Sequence, residues 1–469
     1  MKRIILYLCI IFTVFVLLFI PEKTSAQRVN SLYFLDKTPF HTQWNPAMAP
    51  DKSGLGLGIG NISLSVQSDL AFSDIFVPSQ DGTELYTFLH PSVNKEAFVA
   101  GLKDVSSLSF NSNIDIFNLG IRVLDKYFTI HSGISIDAGT GIPKDFFGLF
   151  LLGMNKNEDN TNFNLTEMNI NAMAYTKLGV GYSMKLGKLL SVGINANYLQ
   201  GIADMRMGFD KLTIGASQTK WDVTSNGYIQ MAAPDFLRLK YGENGYLNGV
   251  NYDSKTSGGA SGIVSALPKA GSGFSIDLGI TAKPLSFLTL SAAIIDLGSI
   301  KWNAKYIQRA SSNSSYTYDG AALNETEKEN QSSTEVVDNF EDIIHFEKDN
   351  NPQSYSSKLT TKLNIGAEAG ILNNHISFGV LSQTGFAPNG TYQDIMLSAN
   401  LKPSSIIQGA LTYSLLHGKR SSLGAAINCK LLFLNIFVAA DYIPFNYTPQ
   451  MIPVDNSYYN MQFGINMMF

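Results

Sequence analysis

The chain has 469 residues, a formal net charge of −4, and a composition with 15% charged and 11% aromatic residues. A weakly acidic chain offers little to nucleic-acid phosphates, so we expect no nucleic-acid partner. The length suits either two or three soluble domains or one large barrel. Of the two cysteines, Cys9 falls in the export signal described next, which leaves Cys429 alone and excludes an intrachain disulfide.

Residues 1–26 predict a secretory signal peptide. Lys2 gives the start a positive charge, residues 4–20 form an apolar run, Pro21 ends it, and small residues precede a cleavage site near Ala26. An uncleaved anchor is the alternative, because the apolar run approaches the about 20 residues that span a bilayer. We predict cleavage, since small residues after the run are typical of a peptidase site.

Many later segments alternate apolar and polar residues over about eight or more positions. In residues 178–186 leucine, valine, tyrosine and methionine alternate with glycine, serine and lysine, and the pattern recurs in 190–198, 274–281 and 362–371. A helix would mix both kinds of residue on one face, whereas a strand separates them. Because strands of a soluble sandwich are mostly five or six residues long, these longer runs favour strands that cross a membrane.

The alternating segments predict an all-β fold, a transmembrane antiparallel β-barrel of about fourteen strands. Lipid cannot hydrogen-bond to backbone groups, so every strand must pair and the sheet must close. The strands are placed near residues 54–66, 111–124, 127–138, 168–186, 189–204, 273–283, 287–302, 359–371, 375–384, 392–401, 405–416, 421–431, 434–442 and 457–469. Residues 206–232 would raise the number to sixteen, but their alternation is poor and we interpret them as a β-ribbon beyond the membrane.

Tight turns alternate with long loops along the barrel region, as in outer-membrane barrels, whose long loops face the cell exterior. The long loops are predicted at residues 67–107, 139–167, 205–271 and 303–357. Within them we expect short helices near 94–102 and from Pro143, a mobile irregular loop over 234–271, and a solvated acidic stretch over 325–349.

The last strand ends in an unbroken apolar face that resembles the recognition signal of the barrel-assembly machinery. The residues of this predicted assembly signal are Phe463, Ile465, Met467 and Phe469. We therefore expect that machinery, outer-membrane lipid and lipopolysaccharide among the partners, and a location in the bacterial outer membrane.

Residues 27–52 do not alternate, although they precede a barrel that we place at residues 53–469. They contain several large apolar side chains, and burial of each contributes about 1.5–3 kcal/mol. We therefore predict an N-terminal hatch inside the bore. Its central motif is Trp44, Asn45, Pro46 and Ala47, in which proline fixes the backbone and asparagine bonds to a neighbouring turn.

Glycines at alternate positions of the first strand suggest a bare inner surface for this hatch. The predicted hatch-facing glycines are Gly54, Gly56, Gly58 and Gly60.

With these residues in place, the chain resembles the FadL family of long-chain fatty-acid and hydrophobic-compound channels. Those barrels have fourteen strands and a hatch with an Asn-Pro-Ala motif before the first strand, where Asn45-Pro46-Ala47 stands here. The chain looks more particularly like an uncharacterised set of FadL-like proteins from Bacteroidetes-type bacteria, on residues 33–34 through 45–47, 296–302, 441–444 and 447–449. The resemblance implies a channel for small hydrophobic molecules. The alternative is a PorV-like adaptor or scaffold that binds secreted or surface proteins without transport.

The sequence has none of the common catalytic or metal-binding motifs, such as G-x-S-x-G, a Walker A loop or H-E-x-x-H. We predict no catalytic residue, no metal, no cofactor and no enzymatic activity. Charged residues on the polar strand faces are expected to pair across the bore. These are Asp277, Asp296, Glu368 and Asp441 with Arg122, Lys185, Lys362 and Lys430.

Overall fold

A computed structural model gives the fold. The structure describes residues 31–35, 38–50, 54–79, 84–153, 160–217, 220–252, 270–318, 344–387, 390–404, 406–416, 420–441 and 456–469. The predicted signal peptide lies outside these residues.

Nearly all regular structure in the described residues is β-strand. The strands are β1 (Leu55–Ala71), β2 (Phe76–Pro78), β3 (Leu85–Thr87), β4 (Val105–Val123), β5 (Lys126–Pro143), β6 (Asn160–Asn164), β7 (Asn169–Leu186), β8 (Leu190–Ser217), β9 (Trp221–Ala232), β10 (Leu237–Tyr241), β11 (Leu247–Tyr252), β12 (Gly271–Leu285), β13 (Leu288–Trp302), β14 (Ile307–Tyr318), β15 (Glu347–Asp349), β16 (Ser356–Lys358), β17 (Thr361–Ile371), β18 (Ile376–Ala387), β19 (Gly390–Leu401), β20 (Ile407–Leu416), β21 (Arg420–Leu431), β22 (Leu434–Ala440) and β23 (Asn456–Met468). Short helices lie at Phe72–Ile75, Lys95–Gly101 and Lys144–Leu151, and 3₁₀ turns at Pro39–Gln43 and Ala304–Tyr306. In the part of the chain that is described, no helix has the length and apolarity needed to cross a membrane.

Fourteen of the strands close into one antiparallel barrel. Around the wall they follow the order β1, β4, β5, β7, β8, β12, β13 and then β17 to β23, and β23 pairs with β1 to complete the ring. The predicted number of fourteen is confirmed. The sixteen-strand alternative is wrong, because β9 pairs with the far part of β8 and with β14, and neither β9 nor β14 enters the wall.

The wall is apolar outside and polar inside, the reverse of a soluble protein. Leu178 and Val180 on the outer face are 53% and 58% exposed, and Phe274 is 71% exposed. Asn197 and Asp277 on the inner face are buried. An apolar exterior around a polar interior is the arrangement of a barrel that sits in lipid.

The two ends of the barrel differ. At one end, which we call the turn end, tight turns join neighbouring strands, for example β4 to β5 and β21 to β22, and β1 begins beside the C-terminal Phe469. The other end, the loop end, carries the long connections. Of the predicted helices there, Lys95–Gly101 and Lys144–Leu151 are present.

An extension of the same sheet projects from the wall at the loop end. It consists of β6, residues 204–217 of β8, β9, β14 and β15, and we call it the loop-side sheet. The β-ribbon predicted over 206–232 is therefore confirmed. Its apolar residues form a core of their own with the helix Lys144–Leu151; the large side chains that are fully buried there are Leu165, Leu212, Ile214, Val223 and Met231.

The irregular loop expected over 234–271 is in part wrong, since residues 237–252 form the hairpin of β10 and β11. Leu239 and Leu247 of this hairpin are buried in the core of the loop-side sheet, which gives the segment a packed partner. Residues 253–269 and most of the acidic stretch, 325–343, lie outside the described residues, so the mobility of the first and the solvation of the second stay predictions.

Candidate functional site

The N-terminal segment fills part of the bore. Residues 31–35 and 38–50 are buried almost throughout and pack on inward-facing residues of the wall. A 3₁₀ turn at Pro39–Gln43 begins at Thr38, whose backbone N–H donates to His41 Nδ1 at 2.9 Å. We call residues 31–50 the hatch.

Asn45 connects the hatch to the wall and also to itself. Its Oδ1 accepts from the Ala47 backbone N–H at 2.9 Å, which closes the turn that the motif predicts. Its Nδ2 donates to the carbonyl oxygens of Ile280 and Ala292, at 3.4 and 3.3 Å, on the neighbouring strands β12 and β13. The asparagine thus makes the turn and binds the barrel with one side chain.

Two wall glycines form a notch for this motif. Gly193 of β8 and Gly279 of β12 are direct register partners. A Cβ atom on Gly279 would lie 2.9 Å from Pro46 Cδ and closer still to Asn45 Oδ1, and one on Gly193 would lie 2.7 Å from the Ala47 nitrogen. This notch was not predicted. The sequence does place both glycines on the polar face of alternating strands, which indicates that they line the bore.

The four predicted hatch-facing glycines divide into two pairs. A Cβ on Gly56 would lie 2.9 Å from Pro39 Cγ, and one on Gly58 would lie 2.8 Å from Phe40 Cε1, so both positions face the hatch.

The other two do not face it. At Gly54 the nearest described atom is a C-terminal backbone oxygen at 3.6 Å, because this residue precedes the strand at the turn end. Gly60 has a φ of +71° and no described atom within 4 Å of an added Cβ. It lies at a register shift between Ile59 and Ile62, and such a bulge moves the alternation by one residue, so Asn61 rather than Gly60 faces inward.

Asparagines from three parts of the wall hold backbone carbonyls of the hatch. Asn118 Nδ2 donates to the Pro39 carbonyl at 3.1 Å, Asn195 Nδ2 to that of Thr42 at 2.9 Å, and Asn364 Nδ2 to that of Trp44 at 3.1 Å. These bonds satisfy carbonyls that a non-alternating segment cannot pair in a ladder.

Apolar anchors complete the docking. Phe40 is fully buried over Gly58, and its ring lies 6.0 Å from that of Phe437 in an edge arrangement. Trp44, the first residue of the predicted motif, is half-buried with its ring 4.7 Å from that of His41.

The loop-end side of the hatch borders a polar chamber of about 100 Å³. Its lining includes Asn61, Asp115, His131, Lys177, Asp296 and Lys362. Asp296 forms ion pairs with Lys177 and with Lys362, the latter at 3.5 Å, and its backbone N–H donates to Asp277 Oδ1 at 2.7 Å. One of the predicted carboxylates, Asp296, thus pairs with one of the predicted cations, Lys362, but between the neighbouring strands β13 and β17 rather than across the bore. Lys177 was not among the predicted cations.

The other predicted lumen charges have different partners. Glu368 pairs with Lys402 at 2.9 Å, and Arg122 donates to the Pro50 carbonyl of the hatch. Asp441 accepts from Ser31 of the hatch and from Asn460 Nδ2, the latter at 2.8 Å. Arg122 and Asp441, which were predicted to pair with other charged wall residues, thus form hydrogen bonds with the hatch instead.

The turn-end side of the hatch borders a larger cavity of about 520 Å³, which we call the vestibule. Hatch residues such as Phe34 and Met48 form one side, and polar wall residues form the other. Among the residues that line the two cavities, Tyr33 is common to both. Its hydroxyl lies 3.2 Å from Ser291 Oγ of the wall, so this side chain stands at the division between chamber and vestibule.

The predicted assembly signal lies in β23. Phe463 and Phe469 are 44% and 59% exposed on the outer surface, and the strand pairs with β22 and β1. Recognition by the assembly machinery stays a prediction.

Comparison with known proteins gives one family and several similar structures. A model described as a family of unknown function, DUF5723, matches residues 46–441. The chain is similar to the toluene transporter TbuX of Ralstonia pickettii, with 9% identity, 96% of this chain and 97% of that chain covered, and a TM-score of 0.44. It is similar to a FadL homologue of Pseudomonas aeruginosa, with 10% identity, 95% and 98% covered, and a TM-score of 0.43. No curated protein matches the sequence.

FadL-type channels are thus among the solved structures that the chain is similar to, as the sequence predicted. The family model covers most of the chain, and the chain therefore belongs to DUF5723, a family of unknown function.

Proposed function

We propose that this protein is a FadL-like outer-membrane channel whose hatch, residues 31–50, closes the bore. The observation that supports this most directly is the division of the bore into two cavities by the hatch, with Tyr33 lining both. A plug that is only a structural filler needs no open volume on both of its sides. Movement of the hatch by a few ångströms would join chamber and vestibule into one path.

The solute predicted from the family resemblance is a small hydrophobic molecule. The lining of the chamber, however, includes asparagine, aspartate, histidine and lysine side chains beside a few apolar and aromatic ones. An apolar solute would desolvate these groups without replacing their hydrogen bonds, which costs free energy. The lining therefore favours a solute that carries polar groups beside any apolar part.

The channel proposal is tested with the full-length protein in planar lipid bilayers. Replacement Tyr33→Ala removes the ring between the cavities and should raise ion conductance above that of the wild type. Tyr33→Phe keeps the ring and should conduct like the wild type. Tyr198→Ala, on the outer face, is the control for substitution of a tyrosine. Equal conductance in all four proteins would contradict a bore closed by the hatch at Tyr33.

A second candidate is a non-transporting adaptor that binds secreted or surface proteins, and the loop-side sheet favours it. This sheet has its own buried core, including Leu212, Ile214 and Val223, and transport does not require a folded surface of this kind. An adaptor should retain a protein partner in stoichiometric amount when purified in mild detergent after chemical cross-linking in cells. Absence of any such partner would leave the channel as the better proposal.

A further inference from the structure

The vestibule carries an excess of positive charge. Among the described residues that line it, the lysines are Lys283, Lys402 and Lys430, and the carboxylate is Glu368. That carboxylate is already bound, by Lys402 Nζ at 2.9 Å and by Ser377 Oγ at 2.6 Å. With Lys402 paired to Glu368, Lys283 and Lys430 leave the described lining net positive.

One part of the wall combines a lysine with a buried amide that lacks a partner. Lys430 and Asn435 are register partners across β21 and β22 and both line the vestibule. Asn435 is fully buried, and neither its Nδ2 nor its Oδ1 has a hydrogen-bond partner in the described structure. An unsatisfied buried amide costs about 1–3 kcal/mol, so this position favours any ligand that brings it a polar group.

Asn428 also lines this part of the vestibule. It precedes Lys430 by two residues and therefore points to the same side of β21. Its Oδ1 is also buried without a partner among the described residues, and its Nδ2 makes a long contact of 3.5 Å with Gln408 Oε1. The lysine is thus flanked by two amides whose hydrogen-bonding capacity is incompletely used.

The opposite side of the vestibule is apolar, since hatch residues Phe34, Leu35, Met48 and Pro50 face it. A ligand there would meet cationic and amide groups on the wall and carbon atoms on the hatch. Apolar surroundings lower the local dielectric and strengthen the attraction between a lysine and an anion.

We propose that the vestibule is a binding site for small organic anions, with Lys430 and Asn435 holding a carboxylate or phosphate group and the hatch face contacting the apolar part. The ammonium of Lys430 supplies the charge, and Asn435 Nδ2 donates a hydrogen bond to an anionic oxygen. A cation would be repelled by the lysines, and a hydrocarbon would leave the amide unsatisfied. Pores that select anions are commonly lined by arginine or lysine side chains.

This inference depends on the proposed channel only for the route by which a ligand reaches the vestibule. Binding itself can be measured without transport. Raised conductance in Tyr33→Ala, together with no anion binding by the wild-type protein, would defeat this inference alone. Anion binding in a protein that never conducts would defeat the channel alone.

The test is calorimetric titration of the full-length protein in a neutral detergent with benzoate and with benzamide, its uncharged counterpart. Benzoate should bind, and benzamide should bind at least about tenfold more weakly. Lys430→Gln should weaken benzoate binding about tenfold, since a charge-assisted hydrogen bond is lost. Lys358→Gln, an exposed lysine in β16 at the loop end, is the matched control and should bind like the wild type.

Two further measurements keep the proposal open to refutation if Lys430→Gln folds poorly. Raising the ionic strength should weaken benzoate binding to the wild type, because salt screens the lysines. Inorganic phosphate should compete with benzoate but bind less tightly, since it cannot contact the hatch face. Equal affinity for benzoate and benzamide, salt-independent binding, or phosphate binding as tight as benzoate would each overturn a site for small organic anions.

Discussion

Filling the notch in the wall with one methyl group should undock the hatch. In Gly279→Ala, the new Cβ would lie 2.9 Å from Pro46 Cδ and closer to Asn45 Oδ1. Neither atom belongs to the flexible end of a long side chain, so the motif itself has to retreat. The methyl group points into the bore, and the backbone ladder of β12 with Gly193 and its neighbours in β8 stays intact.

Two effects determine how much free energy Gly279→Ala removes from docking of the hatch. Overpacking a well-filled contact costs about 1–3 kcal/mol. Retreat of Asn45 also breaks its bonds to the carbonyls of Ile280 and Ala292, at about 0.5–1.5 kcal/mol each. The sum is about 2–6 kcal/mol against docking. Since each 1.4 kcal/mol is a factor of ten, the undocked fraction of the hatch should rise about 30-fold at the lower end.

Hydrogen exchange of the hatch amides measures this fraction. The amides of Asn45 and Met48, which bond within the hatch, should exchange faster in Gly279→Ala while amides of the wall keep their protection. Gly409→Ala in β20 is the control, because its Cβ would meet only the Ala426 oxygen, at an ordinary 3.6 Å. The reasoning is refuted if hatch exchange is unchanged in Gly279→Ala or is accelerated equally in the control.

Three other substitutions test the docking and the chamber. Asn45→Asp places a carboxylate against two carbonyl oxygens, and the hatch should become cleavable by protease; a hatch as resistant as in the wild type would contradict the role of Nδ2. Phe40→Ala removes a fully buried ring and should weaken docking by about 3–5 kcal/mol, whereas Phe274→Ala on the outer face should leave hatch cleavage unchanged. Lys177→Met leaves Asp296 with Lys362 as its one cationic partner and should lower the unfolding temperature, by less than the about 3–5 kcal/mol that a buried charge with no partner would cost. An unfolding temperature equal to that of the wild type would show that the pair contributes nothing to stability.

The barrel was predictable because every wall strand must present one apolar face to lipid. Apolar residues therefore recur at every second position in segments such as 178–186 and 274–281. Strand number and order follow from counting these segments, since neighbouring strands in sequence pair in space. The loop-side sheet is not under this constraint, because Leu212 and Val223 pack on other protein segments rather than on lipid.

The inner surface was less predictable, because its pattern depends on contacts between distant segments. The glycine at 60 differs from those at 56 and 58 only through a bulge, and one inserted residue reverses which side chains face inward. The notch of Gly193 and Gly279 depends on the register of two strands about 86 residues apart along the chain. A sequence shows that these glycines lie on the polar face, but not that one hatch motif rests on both.

The chemistry of docking also sets how easily the hatch is released. Three wall asparagines, at 118, 195 and 364, hold hatch carbonyls by hydrogen bonds of 2.9–3.1 Å. Cavities border the hatch on both sides, so water can replace these bonds, and each then contributes only about 0.5–1.5 kcal/mol to docking. The apolar anchors have no such substitute, since exposing Phe34 or Phe40 costs the full burial energy of about 1.5–3 kcal/mol each. Release is therefore opposed mainly by buried apolar side chains such as these two rings, and a ligand that covers Phe34 in the vestibule would compensate for part of the cost of moving the hatch.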